Sequence, residues 1–138
     1  MRVKDFMCKK VVRATENTTL NEIAKLMQTN DVGCVPICNN ENNVVGFITD
    51  RDIITRCVAT NQNCGKTKAS EIMTKNVIKT TPDTTIEDAT ETMTNNQIKR
   101  LPVIENNEIV GILSVGDLAK SDDFPTKEVG YTVEGICE

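Results

Sequence analysis

Residues 46–53 read GFITDRDI, and residues 111–118 read GILSVGDL. Each stretch is an apolar strand end, a Thr or Ser, an Asp three residues later, and the start of a helical run. The polar pair therefore falls at a strand-to-helix junction, where a hydroxyl and the first free backbone N–H groups point at one spot. One copy would be an ordinary helix start. Two copies at matching places of a repeated frame predict two related sites.

Working outward from these stretches, Met7 matches Met73, Val11 matches Val77, Thr15 matches Thr81, Thr18 and Thr19 match Thr84 and Thr85, Met27 matches Met93, and Pro36 matches Pro102. All are offset by 66, as in 73 − 7. The offset drops to 65 at Gly46 and Gly111, because NNENN in the first copy becomes the shorter ENNE in the second. Turns tolerate such length changes. The chain is thus an internal repeat, with a first copy over 1–59, a linker over 60–68, a second copy over 69–120 and an extension over 121–138.

Within the first copy, residues 3–7 predict a helical turn and residues 11–14 a short strand. Thr19 with Glu22 fits a capping box that opens a helix with Leu20, Ile23, Ala24 and Met27 on its apolar face. Residues 35–38 and 44–49 predict a hairpin, and residues 50–59 a helix with Ile53, Ile54 and Cys57 inward. In the second copy, Thr85 with Asp88 caps a helix whose stripe is Ile86, Ala89 and Met93. The fold class expected is α+β: two pseudo-symmetric repeats, each a small three-stranded sheet with flanking helices, packed as one module because neither buries enough alone. In the extension, Pro125 could open a helix lined by Val129, Val133 and Ile136, which Gly130 and Gly135 weaken.

Composition narrows the function. The 138 residues are 38% hydrophobic and 26% charged, with a net charge of −4. That balance argues against nucleic-acid binding, which requires a basic face. No apolar run approaches a membrane span, and no leader pattern is visible, so a cytoplasmic location is expected. The six cysteines are Cys8, Cys34, Cys38, Cys57, Cys64 and Cys137, with no CxxC and no histidine anywhere. The usual zinc spacings, Cys-His nucleophiles and histidine bases are therefore missing. Cys34 and Cys38, four apart on a strand, would lie about 13 Å from one another and read as buried thiols.

The frame helix–strand–helix–strand–strand–helix, with VPIC and GFITDRDI in the first copy and KRLPVI and GILSVGDL in the second, resembles the CBS domain (cystathionine beta-synthase domain). Two in tandem resemble a CBS pair, or Bateman module, of the kind found in small stand-alone bacterial proteins. The resemblance runs from about residue 3 to residue 120. It implies a non-enzymatic regulatory module that binds an adenosine-containing ligand in clefts between the repeats: AMP, ADP, ATP or S-adenosylmethionine.

Carried onto this chain, the resemblance puts the ribose carboxylates at Asp52 and Asp117 and the neighbouring hydroxyls at Thr49 and Ser114. It implies that the facing repeat completes each cleft. Thr74, Lys79, Ile98, Lys99 and Arg100 would join Asp52. Cys8, Arg13, Val32, Gly33 and Cys34 would join Asp117. On that grouping the Asp52 cleft holds the cations and is expected to favour phosphates.

Plainer roles fit the same residues. Both hydroxyl–carboxylate pairs are also good helix caps, and Lys99 with Arg100 also fits a solvated pair. Three function classes follow: a nucleotide sensor, a protein-interaction or dimerisation module with empty clefts, and an enzyme. The enzyme is the weakest, because no nucleophile has a base beside it and no carboxylate pair is visible. The resemblance also implies a homodimer, which the excess of apolar side chains at Ile53, Ile54, Cys57 and Val58 supports, and a regulated protein reached in trans.

Overall fold

The computed structural model describes residues 1–121 and Gly130; the extension, with its Pro125 helix, lies outside the described residues. In chain order, a single 3-10 turn at Val3–Asp5 is followed by β1 (Ala14–Thr15), α1 (Leu20–Asn30), β2 (Cys34–Cys38) and β3 (Val44–Thr49). Then come α2 (Asp50–Ile53), which runs into a π turn at Ile54–Val58, α3 (Ala69–Ile72), α4 (Ile86–Asn96), β4 (Arg100–Glu105), β5 (Glu108–Ser114) and α5 (Val115–Lys120). No helix among them is long and apolar enough to cross a membrane.

These elements form two compact units that do not follow the repeat boundaries. One unit is Val12–Val77; the other joins Met1–Val11 to the chain from Ile78 onward. Each repeat has handed its entry segment to the other. Val3 N–H donates to the Thr84 carbonyl at 2.9 Å and Lys4 N–H to that of Pro82 at 3.0 Å. The counterparts 66 residues on, Ala69 and Ser70, donate to Thr18 and Glu16 at 2.8 and 3.1 Å.

In the Val12–Val77 unit, β1 pairs parallel with β2 and β2 antiparallel with β3. Thr19 caps α1 by accepting from Glu22 N–H at 3.3 Å. Leu20, Ile23 and Met27 of α1 are buried with Val35, Ile37, Ile48, Ala69, Ile72 and Met73. Ala24, expected on this face, is exposed, and Leu26 packs in its place.

The other unit repeats the plan with β4 and β5 antiparallel. Its first strand is reduced to a parallel bridge of Thr80 to Val103, so the second sheet has two strands where three were expected. Its core is Val3, Ile86, Ala89, Met93, Leu101, Val103, Leu113, Val115 and Leu118. The turn between β4 and β5 is the two-residue Asn106–Asn107, with φ of 53° and 66°, the left-handed pair that a type I′ hairpin requires. The longer first turn folds instead around the Asn39 side chain, whose Oδ1 accepts from Glu41 and Asn43 N–H at 3.0 Å each.

Both hairpins carry a proline inside the ladder. Pro36 stands opposite Phe47, and both backbone groups of Phe47 turn outward to Thr74 at 3.0 Å. Pro102 stands opposite Ile112, which in the same way exchanges bonds with Cys8 at 2.8 and 3.0 Å. At these non-bonded pairs the missing proline N–H leaves no carbonyl unsatisfied.

Candidate functional site

Each hairpin ends at a hydroxyl–carboxylate pair, and each pair is a complete capping box. Thr49 Oγ1 accepts from Asp52 N–H at 3.1 Å, while Asp52 Oδ2 accepts from Thr49 N–H at 2.9 Å. Ser114 Oγ accepts from Asp117 N–H at 3.0 Å, and Asp117 Oδ2 from Ser114 N–H at 3.2 Å. The cap reading is therefore correct for both, and it consumes one oxygen of each carboxylate.

The remaining oxygens differ. Asp52 Oδ1 lies 3.9 Å from Arg56 Nε, a long ion pair to a half-exposed side chain, worth little in water. Arg56 is anchored elsewhere, donating to the Ile72 carbonyl at 2.8 Å and to Thr74 Oγ1 at 3.5 Å. The sequence reading missed Arg56, although the i, i+4 spacing from Asp52 is a visible signal. Sixty-five residues on, the equivalent position is Ser121, so Asp117 has no such cation. Among the described residues, its second oxygen has no hydrogen-bond partner.

The antiparallel ladders decide which residues flank each pair. Cys34 stands opposite Thr49, and Gly33 carbonyl accepts from Asp50 N–H at 2.9 Å. Arg100 stands opposite Ser114, and Lys99 carbonyl accepts from Val115 N–H at 3.0 Å. A hairpin's first residues must pair with its own last ones, so Val32, Gly33 and Cys34 fold in one unit with Thr49 and Asp52, and Ile98, Lys99 and Arg100 in one unit with Ser114 and Asp117.

Of the entry segments, Thr74 is in the unit of Asp52, and Cys8 in that of Asp117. Arg13 is in the unit of Asp52, and Lys79 in that of Asp117. Lys79 precedes Thr80, whose N–H donates to the Pro102 carbonyl at 3.0 Å. Arg13 donates to Asn42 Oδ1 at 2.9 Å. The unit of Asp117, not that of Asp52, thus holds Lys79, Lys99 and Arg100.

Of the cysteines, Cys34 and Cys38 are buried as expected. Burial pushes the Cys38 thiol above its usual value, with Arg13 pulling the other way. No group of three or more Cys, Asp or Glu among the described residues stands ready to hold a metal ion.

The model of the CBS domain matches residues 3–59 and again residues 69–123. The chain belongs to the CBS domain family. It is 38% identical over 117 residues to the CBS domain-containing protein YhcV of Bacillus subtilis (strain 168), covering 85% of this chain and 82% of that one. Among solved structures, an uncharacterized conserved protein from Pyrococcus horikoshii superposes with a TM-score of 0.82 at 31% identity, over 90% of this chain and 93% of that one. The CBS domain pair of protein MJ0100, solved with 5′-methylthioadenosine and S-adenosyl-L-methionine, gives a TM-score of 0.79 at 30% identity, over 87% and 94%. The hairpins and their capped Asp residues are thus those of CBS repeats, and the fold is that of a CBS pair.

Proposed function

We propose that this CBS protein is a non-enzymatic sensor module whose second hydroxyl–carboxylate pair takes an adenine nucleotide. The observation that carries the reading is the second oxygen of Asp117, without a hydrogen-bond partner among the described residues, in the unit that also holds Lys79, Lys99 and Arg100. A carboxylate oxygen of that kind accepts from a ribose hydroxyl, and the cations suit phosphate. The adenosine-containing ligands of the MJ0100 pair support the class of ligand. Within that class the cations favour AMP, ADP or ATP over S-adenosylmethionine, whose sulfonium carries the same sign. The regulated protein is reached in trans, and no catalysis is assigned.

A thermal-shift titration with AMP, ADP, ATP and S-adenosylmethionine tests this reading. Ligand at a hundred times its Kd adds about 2.7 kcal/mol of stability, so a saturating rise in Tm with a nucleotide is expected. No shift with any of them would contradict it.

A second reading rests on a different observation. Ile54 and Val58 are 60% and 58% exposed, one turn apart on a single helix, which favours self-association through that face. Homodimerisation and nucleotide sensing are compatible.

A further inference from the structure

We propose that Cys57 and Cys64 are a redox modification site, closing reversibly to a disulfide when the protein meets a hydroperoxide. Their sulfurs lie 2.7 Å apart, against about 2.05 Å for the bond itself, so closure needs well under about 1 Å of movement. Both carry free thiols. None of the earlier site readings uses either one.

The backbone holds the two sulfurs in place from both sides. Gln62 N–H donates to the Cys57 carbonyl at 3.0 Å, and Cys57 Sγ donates to the Gln62 carbonyl at 3.6 Å. Asn61 bends the chain between them with a φ of 61°. Just before Cys64, the Asn63 carbonyl accepts from Lys66 and Thr67 N–H at 3.0 and 2.9 Å, and from Thr67 Oγ1 at 2.8 Å. Cys64 carbonyl in turn accepts from Asn21 N–H at 3.0 Å.

Exposure divides the labour. Cys57 is fully buried, whereas Cys64 is partly open to solvent. Burial, reinforced by the contact with Cys64, keeps the Cys57 thiol above its usual value and protonated. Cys64 therefore meets the oxidant first: its thiolate attacks a peroxide oxygen, the O–O bond breaks, and the products are a sulfenic acid and, after proton uptake, water. The Cys57 sulfur then attacks the Cys64 sulfur, the S–S bond forms and a second water leaves with the Cys57 proton. Two thiols lose two electrons and two hydrogens in all, and hydrogen peroxide takes them up to become two waters. A dithiol reductant reverses the bond by exchange.

The sequence supplies a clean readout. Trypsin cuts after Arg56 and Lys66, and the peptide between them, CVATNQNCGK, contains both cysteines and no others. The bond is thus internal to peptide 57–66, while a bond from Cys57 or Cys64 to any other cysteine joins two peptides. The full chain is treated with hydrogen peroxide under native conditions, alkylated in denaturant and digested. The expected result is peptide 57–66 lighter by two hydrogens and free of alkyl groups, with both alkyl groups returning after dithiothreitol. Cys64→Ser, a change at the partly exposed partner, should leave Cys57 alkylated. Peptide 57–66 doubly alkylated at a dose that oxidises free cysteine would overturn the proposal, as would Cys64 advancing to sulfinic acid or a bond from either residue to another peptide.

Discussion

Arg100 and Ser114 stand opposite one another in the ladder of β4 and β5, with their side chains on the same face. Ser114 caps the helix that carries Asp117, so the hairpin register itself sets a cation opposite the hydroxyl paired with the carboxylate proposed to hold a ribose. Replacing Lys99 and Arg100 together by Ala should weaken AMP by roughly 10- to 100-fold, the loss of about 1.5–3 kcal/mol for a hydrogen bond to a charged group. Adenosine, which lacks the phosphate, should bind the variant and the wild type alike. Equal losses for both ligands would count against a phosphate role.

Gly111 lies under a crossing segment. A Cβ there would sit 2.7 Å from Met7 Sδ and 3.0 Å from the Cys8 carbonyl oxygen. The methionine tip can swing aside, but the backbone oxygen is tied into the bridge to Ile112. Gly111→Ala should destabilise by about 1–3 kcal/mol, read from urea midpoints. Adding Met7→Ala should restore little of it, since the backbone contact remains; full recovery would show that the side chain alone sets the requirement.

The helix through residues 50–58 turns a pair of apolar side chains to solvent. Ile54→Glu with Val58→Glu should shift a dimer to monomer in analytical ultracentrifugation, with little effect on Tm, because both positions are already exposed in the chain alone. A wild type that sediments as a monomer at all concentrations would remove the dimer reading.

The buried thiols give stability a pH dependence of known sign. The Cys57 thiol is raised by burial first, and Cys38 is raised by the same cause. Unfolded, each loses its proton around the ordinary value of 9.0; folded, each holds it to higher pH. Their contribution is complete below 9.0 and falls as pH rises from there toward the folded values, by up to about 1.4 kcal/mol per pH unit per thiol. Urea unfolding under reductant should show this decline, and Cys57→Ala should flatten it. An unchanged slope in that variant would assign the decline to other groups.

Much of this architecture was legible in local sequence. The bounds of β3 and the caps at Thr19, Thr49, Thr85 and Ser114 follow from patterns a few residues long. The shortened turn was readable from the step between offsets 66 and 65. What escaped is non-local or irregular. Nothing within residues 1–11 says that they pack with the second repeat, since a short segment with one buried valine fits either. The resemblance groups the cations with Asp52, whereas strand pairing, a non-local contact, folds them into the unit of Asp117. Ile54 was expected inward on a 3.6-residue period; the turn at Ile54–Val58 instead closes from Ala59 N–H to the Ile54 carbonyl at 2.9 Å. That wider π turn leaves Cys57 inside and Ile54 out.

The central claim is nucleotide binding at Asp117, and calorimetric titration of AMP into the reduced wild type, Asp117→Asn and Asp52→Asn tests it most directly. Asparagine can still accept from the cap N–H, so both variants should remain folded. The account predicts micromolar binding to the wild type, about −8 kcal/mol, a loss of at least about tenfold in Asp117→Asn, and a smaller loss in Asp52→Asn. No heat with the folded wild type, or equal affinity in Asp117→Asn, would contradict it.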